Sequence, residues 1–218
     1  DLDDLHSHDV QDDVMVIVRA TRKLLQRLGP PIPQDQTSTG LLGDWYATYL
    51  PWRPRQIALL INERTLLPLL MPLAPARTLL QRFPDHLAEL LAGVPPETIQ
   101  LVSHTLADLA MPEQATLVIA LADHINFASH RVARGMVVEY PLRAEVTHLY
   151  PEELDQARRI LTAVNSALEH PLPDSEEVAL ALHLVNAGMA SGDLTFTYRM
   201  TGVIHQLVSV IEAEYGVA

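Results

Sequence analysis

The chain has 218 residues, 48% apolar and only 5% aromatic, enough for one or two packed domains built mainly on Leu, Val, Ala and Ile. A formal net charge of −12 argues against a broad nucleic-acid surface, and the absence of cysteine excludes disulfides and thiol chemistry. No apolar run approaches the roughly 20 residues that span a bilayer, and no signal-peptide pattern opens the chain, so it reads as a soluble, cytoplasmic protein with no membrane contact.

Residues 1–13 hold six Asp and no Lys or Arg, which reads as a polar, acidic tail. His6, His8 and Asp9 there offer three metal-ligand types, but a tail is the commoner meaning and no function is assigned to them. Residues 14–94 read as a small α+β domain. Val14 to Val18 is a β-branched run and predicts a buried strand. Ala20 to Leu28 sets Leu24, Leu25 and Leu28 on one face with Arg19, Arg22, Lys23 and Arg27 around it, an amphipathic helix stopped by Gly29 and Pro30. Asp44, Trp45 and Tyr46 read as a turn aspartate followed by an aromatic core. Gln56 to Leu73 predicts a hairpin turning at Asn62-Glu63-Arg64, with Pro68 and Pro72 at a sheet edge. Ala76–Leu80 and Asp85–Ala92 predict two short helices before Gly93. No glycine-rich phosphate loop, nucleophile elbow or H-E-x-x-H occurs, so no catalytic residue is predicted.

Residues 95–218 predict an all-α bundle. Helices open at Pro95-Pro96-Glu97 and at Pro112-Glu113, the second ending at Gly135. A short helix over Pro141–Leu149 comes next, then one from Pro151 to about Glu169. Asp174 and Glu177 have capping-box spacing ahead of the next helix, and a last helix is predicted from about Thr195 to Glu214. Two of these helices each carry a histidine at the edge of an apolar stripe. His124 lies beside Leu121, Ile125 and Ala128, and His183 beside Leu180, Leu184 and Ala187. A histidine so placed is most often a packed boundary residue. Neither stretch has metal-ligand spacing, so no metal or other cofactor is predicted. The remaining histidines, His86, His104, His130, His148, His170 and His205, read as surface or boundary residues.

The two histidines belong to a longer pattern. Asp123-His124-Ile125 with Phe127 and Arg131, Tyr150-Pro151-Glu152-Glu153, Leu172-Pro173-Asp174-Ser175-Glu176 and Ala181-Leu182-His183-Leu184-Val185-Asn186-Ala187 come in that order. The set resembles the PTS regulation domain (PRD), the histidine-phosphorylated module of bacterial antiterminators and sugar-operon activators, over roughly residues 95–215. The family usually has Asn before Pro-Leu, where this chain has Tyr140, a position that reads as turn chemistry. The N-terminal half resembles an uncharacterised bacterial domain family in its L-G-D-W-Y and I-N-E-R-T signals and Arg82-Phe83. It does not resemble the small RNA-binding domain that usually opens a PRD antiterminator.

The resemblance implies that His124 and His183 are the phosphorylation candidates. Arg131 would then pair a carboxylate or a phosphoryl oxygen, Asn186 would hydrogen-bond the His183 ring, and Asp123 would orient a partner group. It also implies a non-enzymatic transcription regulator whose dimerisation depends on its phosphorylation, with self-association through the faces that bear the two histidines. The donor would be the phosphocarrier protein or a sugar-permease component of the phosphotransferase system, and nucleic acid would be bound only through a domain not recognised here. Two rival readings stand: a degenerate PRD serving as a dimerisation scaffold, and a PRD acting as the switch for an uncharacterised N-terminal activity.

Overall fold

The computed structural model describes residues 15–29, 38–52, 54–136 and 138–190. The acidic tail and the helix predicted from Thr195 lie outside them. An N-terminal sheet with flanking helices is followed by a mainly helical region, as the residue pattern predicts. Strand β1 (Val18–Ala20) runs parallel to β2 (Trp45–Leu50), with α1 (Arg22–Leu28) between them, and β3 (Ile57–Asn62) and β4 (Pro68–Pro72) complete an antiparallel meander in the order β1-β2-β3-β4.

Two boundaries differ from the sequence pattern for one reason. Upstream of Val18 the chain is bonded to a loop: Met15 N donates to Thr39 Oγ1 and Ile17 N to Ser38 Oγ. The strand therefore starts at the end of the β-branched run. The ladder then carries on to Thr21, whose N–H donates to the Ala47 carbonyl, so α1 cannot begin before Arg22.

Alternation along the strands splits the sheet into two faces. Trp45, Ala47, Ala58, Leu60, Leu69 and Met71 point inward, where Leu24 of α1 and Leu79 and Phe83 of α2 (Leu79–Ala92) cover them. Trp45 meets Phe83 edge-on, ring centroids 5.2 Å apart. Burying each large apolar side chain in this layer contributes about 1.5–3 kcal/mol. Tyr46, Ile61 and Leu70 face outward and are exposed. Arg19 and Ser38 both hydrogen-bond the carboxylate of Asp44. The other basic side chains near α1 are not all solvated either, since Arg27 donates to Gln56 and stacks on Tyr49. Both short helical segments expected there are helical but joined: a 3-10 turn over Ala76–Thr78 leads straight into α2. Pro84 sits inside it, because Leu79 and Phe83 on one side and Leu87, Leu90 and Leu91 on the other must stay in register with the sheet.

The β3–β4 turn is built by one buried side chain. Asn62 Nδ2 donates to the carbonyls of Leu42 and Asp44, while its Oδ1 accepts from Arg64 N, Thr65 N and Thr65 Oγ1. Leu66 takes the left-handed φ of 59° that closes the turn. Arg64 folds back over Gly43, its Nε 2.8 Å from where a Cβ would stand, and its Nη1 donates to Leu41 O. Gly43 is required there both for this approach and for its φ of 71°.

A second core begins at Val94. Around it pack α3 (Pro96–Asp108), α4 (Ala115–Ala133), α5 (Arg143–Leu149), α6 (Pro151–Asn165) and α7 (Glu176–Ala190). α6 stops at Asn165, short of Glu169, where Asn165 instead exchanges hydrogen bonds with the Leu172 backbone. α4 is the long central helix, packed against α3 and α7, and α7 also lies along α6. The predicted capping box does not form through Glu177. That carboxylate is taken by Arg158 at 2.8 Å and Arg143 at 2.9 Å, which tie α6 and α5 to the start of α7. No helix among the described residues is long and apolar enough to cross a membrane.

Candidate functional site: two histidines around a buried glutamate

A seven-residue step along a helix returns to nearly the same face. His124 and Arg131 share a face of α4 in this way, and Glu176 and His183 share one of α7. The two faces meet within the chain. Glu176, its side chain only 2% exposed, accepts from His124 Nε2 at 2.8 Å, Arg131 Nη2 at 2.7 Å and the Tyr140 hydroxyl at 2.8 Å. The His124 and His183 rings lie edge to face with centroids 5.3 Å apart. Arg131 also stacks over the exposed ring of Phe127, 5.2 Å from its centroid.

Charge in this cluster is set by burial against contact. Burial pushes the Glu176 carboxyl up, but the bonds from His124 and Tyr140 and the nearby Arg131 charge outweigh it and hold the group ionised below the usual carboxylate range. The Tyr140 hydroxyl is pushed up, first by burial and then by its bond to that carboxylate, so it stays a donor. His183 is brought down to about 3, chiefly by burial and then by the neighbouring His124, with a small opposing pull from the Thr65 backbone. Its Nδ1 is buried and has no hydrogen-bond partner. His183 is thus a neutral imidazole at physiological pH. Among the described residues no group of His, Asp and Glu is arranged to hold a metal ion.

Two predicted roles are corrected by these contacts. Asn186 does not bond the His183 ring; its Nδ2 donates to the carbonyls of Arg64 at 2.6 Å and Glu63 at 3.4 Å, across to the β3–β4 turn. Tyr140 does more than shape a turn, since its hydroxyl enters the Glu176 cluster. The carboxylate bonded to His124 is Glu176, from the facing helix. Asp123 is partly buried, its carboxyl pushed up by desolvation and drawn back only in part by His124.

Residues 97–187 match the family model described as the PRD domain. The order of motifs read as PRD-like in the sequence thus lies within this match. Residues 17–119 match a domain of unknown function, DUF6933, which overlaps the start of the PRD match. Curated relatives include the transcription antiterminator LicT of Bacillus subtilis, 26% identical over 130 residues, which are 58% of this chain and 47% of LicT. The beta-glucoside operon antiterminator of Dickeya chrysanthemi is 29% identical over 131 residues, 58% of this chain and 46% of its own length. Protein GlcT of Staphylococcus epidermidis is 26% identical over 133 residues, 61% of this chain and 43% of its own. The chain spans just under half the length of these relatives. The first two of these relatives are named as antiterminators.

Glu176 and Tyr140 are the residues that sequence reasoning misses. A signal for Glu176 exists: it closes Leu172-Pro173-Asp174-Ser175-Glu176 and stands seven residues before His183. Tyr140 gives no such signal, because it lies outside any helix, and nothing in its neighbourhood announces a buried carboxylate.

Proposed function

We propose that this chain is a non-enzymatic, cytoplasmic regulator of the sugar phosphotransferase system whose PRD accepts phosphoryl groups at His124 and His183. The observation that carries this reading is the Glu176 cluster. With Nε2–H committed to a carboxylate, a neutral His124 keeps its lone pair on Nδ1, the arrangement a nucleophilic imidazole needs. The donor would be the phosphocarrier protein or a sugar-permease component, itself phosphorylated on a side chain. The donor's bond to phosphorus breaks as the bond from phosphorus to the imidazole nitrogen forms, and the Nε2 proton stays on the ring. The product adds up to about two negative charges. Those charges compete with Glu176 for Arg131, loosening α7 from α4 and changing self-association of the PRD. Residues 14–94 form the uncharacterised unit and 95–218 the regulatory one in this scheme. Any nucleic-acid contact belongs to a further domain.

The buried, unpartnered Nδ1 of the partly exposed His183 favours a second reading, a PRD retained as a dimerisation scaffold with no phosphoryl chemistry. Phosphotransfer separates the two. Incubated with phosphoenolpyruvate and purified general phosphotransferase components, the chain should take up acid-labile, alkali-stable phosphate that maps to His124 or His183 and is lost in the double alanine variant. No uptake, under conditions where the phosphocarrier protein is itself fully phosphorylated, would leave the scaffold reading standing.

A further inference from the structure

The tip of a β-hairpin is ordinarily among the most exposed parts of a chain. Here Thr65, in the β3–β4 turn, is fully buried. Asn62 holds it inside its own turn, and one turn of α7 lies alongside that turn. Asn186 donates to the carbonyls of Glu63 and Arg64, and His183, three residues earlier on the same helix, has the Thr65 backbone against its ring. The ring's Nδ1 is buried without a hydrogen-bond partner.

We infer that the β3–β4 turn of the N-terminal unit is a removable cap on His183, so that docking of the turn and modification of this histidine exclude one another. The inference rests on the phosphoacceptor reading above and adds to it a partner, the chain's own hairpin, for one of the two sites.

Three features support the cap. The turn has a fixed shape before it docks, because Asn62 bonds to three groups of its backbone and side chains and Arg64 is folded over Gly43. It presents two carbonyl groups, those of Glu63 and Arg64, to a single amide on α7, a polar contact that can be exchanged for water. A phosphoryl group on His183 would set negative charge beside the Thr65 backbone and, three residues along α7, beside the carbonyls that Asn186 holds. The two histidines are therefore unequal: the described contacts of the turn fall on His183 and Asn186, while His124 is held by Glu176. Release of the hairpin tip then reports the state of His183 to the N-terminal unit, giving that unit a reason to share a chain with a PRD.

The test uses the full chain, whose lack of cysteine makes engineered crosslinks unambiguous. Two variants act in opposite senses. Asn186→Ala removes the docking bonds, and Glu63→Cys with Asn186→Cys, joined by a short bis-maleimide, holds the turn down. Access to His183 is read twice, as phosphate mapped to His183 relative to His124 and as carbethoxylation by diethyl pyrocarbonate. Far-ultraviolet circular dichroism confirms that both variants are folded. We expect Asn186→Ala to raise reaction at His183 about fivefold, the factor one hydrogen bond of ordinary net strength represents. The crosslink should lower it at least as much. Equal reaction at His183 in the wild-type, Asn186→Ala and crosslinked chains overturns the cap. If no phosphate reaches either histidine in any variant, the phosphoacceptor reading fails, and carbethoxylation still decides whether the turn covers the ring.

Discussion

Glu176 draws three donors into a space almost closed to water, so its charge supports the surrounding structure as much as the ring of His124. Glu176→Gln keeps the shape but leaves the largely buried Arg131 without a counter-ion. Removing one partner of a buried ion pair costs about 3–5 kcal/mol, and the lower end is expected because the amide oxygen still accepts a hydrogen bond. The shift of the urea midpoint measures this, and a loss below about 0.5 kcal/mol, the range of ordinary surface substitutions, would show that Arg131 finds another partner. His183 gives a second prediction. Its folded value lies near 3 and the ordinary one at 6.5, so between those values the unfolded chain binds the extra proton. The stability contributed by this neutral ring is full above pH 6.5 and falls as the pH drops, by at most about 1.4 kcal/mol per pH unit. The groups facing it are His124 from α4, Glu176 one face-repeat earlier on α7, and the Thr65 backbone. Stability measured from pH 7 to pH 5 stays above the range where Glu176 titrates. His183→Gln should flatten the slope there, and an unchanged slope would mean the ring is solvated. Sequence shows both histidines as boundary residues, because the apolar stripe is a local property. It rules out Asp123 as a partner, since adjacent helical residues diverge, but cannot supply Glu176, whose contact with His124 crosses two helices.

At the scale of elements, the hairpin and the helical order are legible because each rests on a strong local signal, alternation in the first case and period with punctuation in the second. Pro68 and Pro72 lie on the edge strand β4, where a missing N–H breaks no ladder. Pro84 misleads for the complementary reason. Proline inside a helix removes a backbone donor and costs roughly 3 kcal/mol, so local reasoning divides the segment in two. The contacts of Leu79, Phe83 and Leu87 with the sheet offset that cost and hold α2 together. Pro84→Ala should therefore stabilise the chain. Part of the gain is lost to the freer unfolded state, leaving about 1–3 kcal/mol and a rise in Tm of several degrees for a protein of this size. A fall in Tm on calorimetry would show that the proline sets a bend the packing needs. β1 and the Glu177 cap fail in the same manner: Ser38, Thr39, Arg143 and Arg158 capture groups that local rules assign elsewhere.

On the scale of the whole molecule, no local rule could show that α7 meets the β3–β4 turn, because the bond from Asn186 to Arg64 joins positions 122 residues apart. Charge, in contrast, is fully legible, and it bears on self-association. Each chain carries a formal −12, and residues 111–218 hold fourteen acidic residues against six Arg. In the proposed dimer two such bodies approach each other, and their repulsion acts over the Debye length, about 10 Å at 0.1 M salt and about 3 Å at 1 M. Raising the ionic strength should then strengthen dimerisation. Phosphorylation enters the same balance with up to about two further negative charges per site. If its effect is long-range repulsion, added salt will erase it. If it acts by drawing Arg131 from Glu176 and loosening α7, it will persist at high salt, because a buried contact is screened far less. The cluster of His124, Glu176, Arg131 and Tyr140 favours the second outcome. Sedimentation velocity of the unmodified and phosphorylated chain at 0.05 M and 0.5 M salt decides it, and a difference between the two forms that vanishes at 0.5 M would move the switch from the helix pair to the acidic surface.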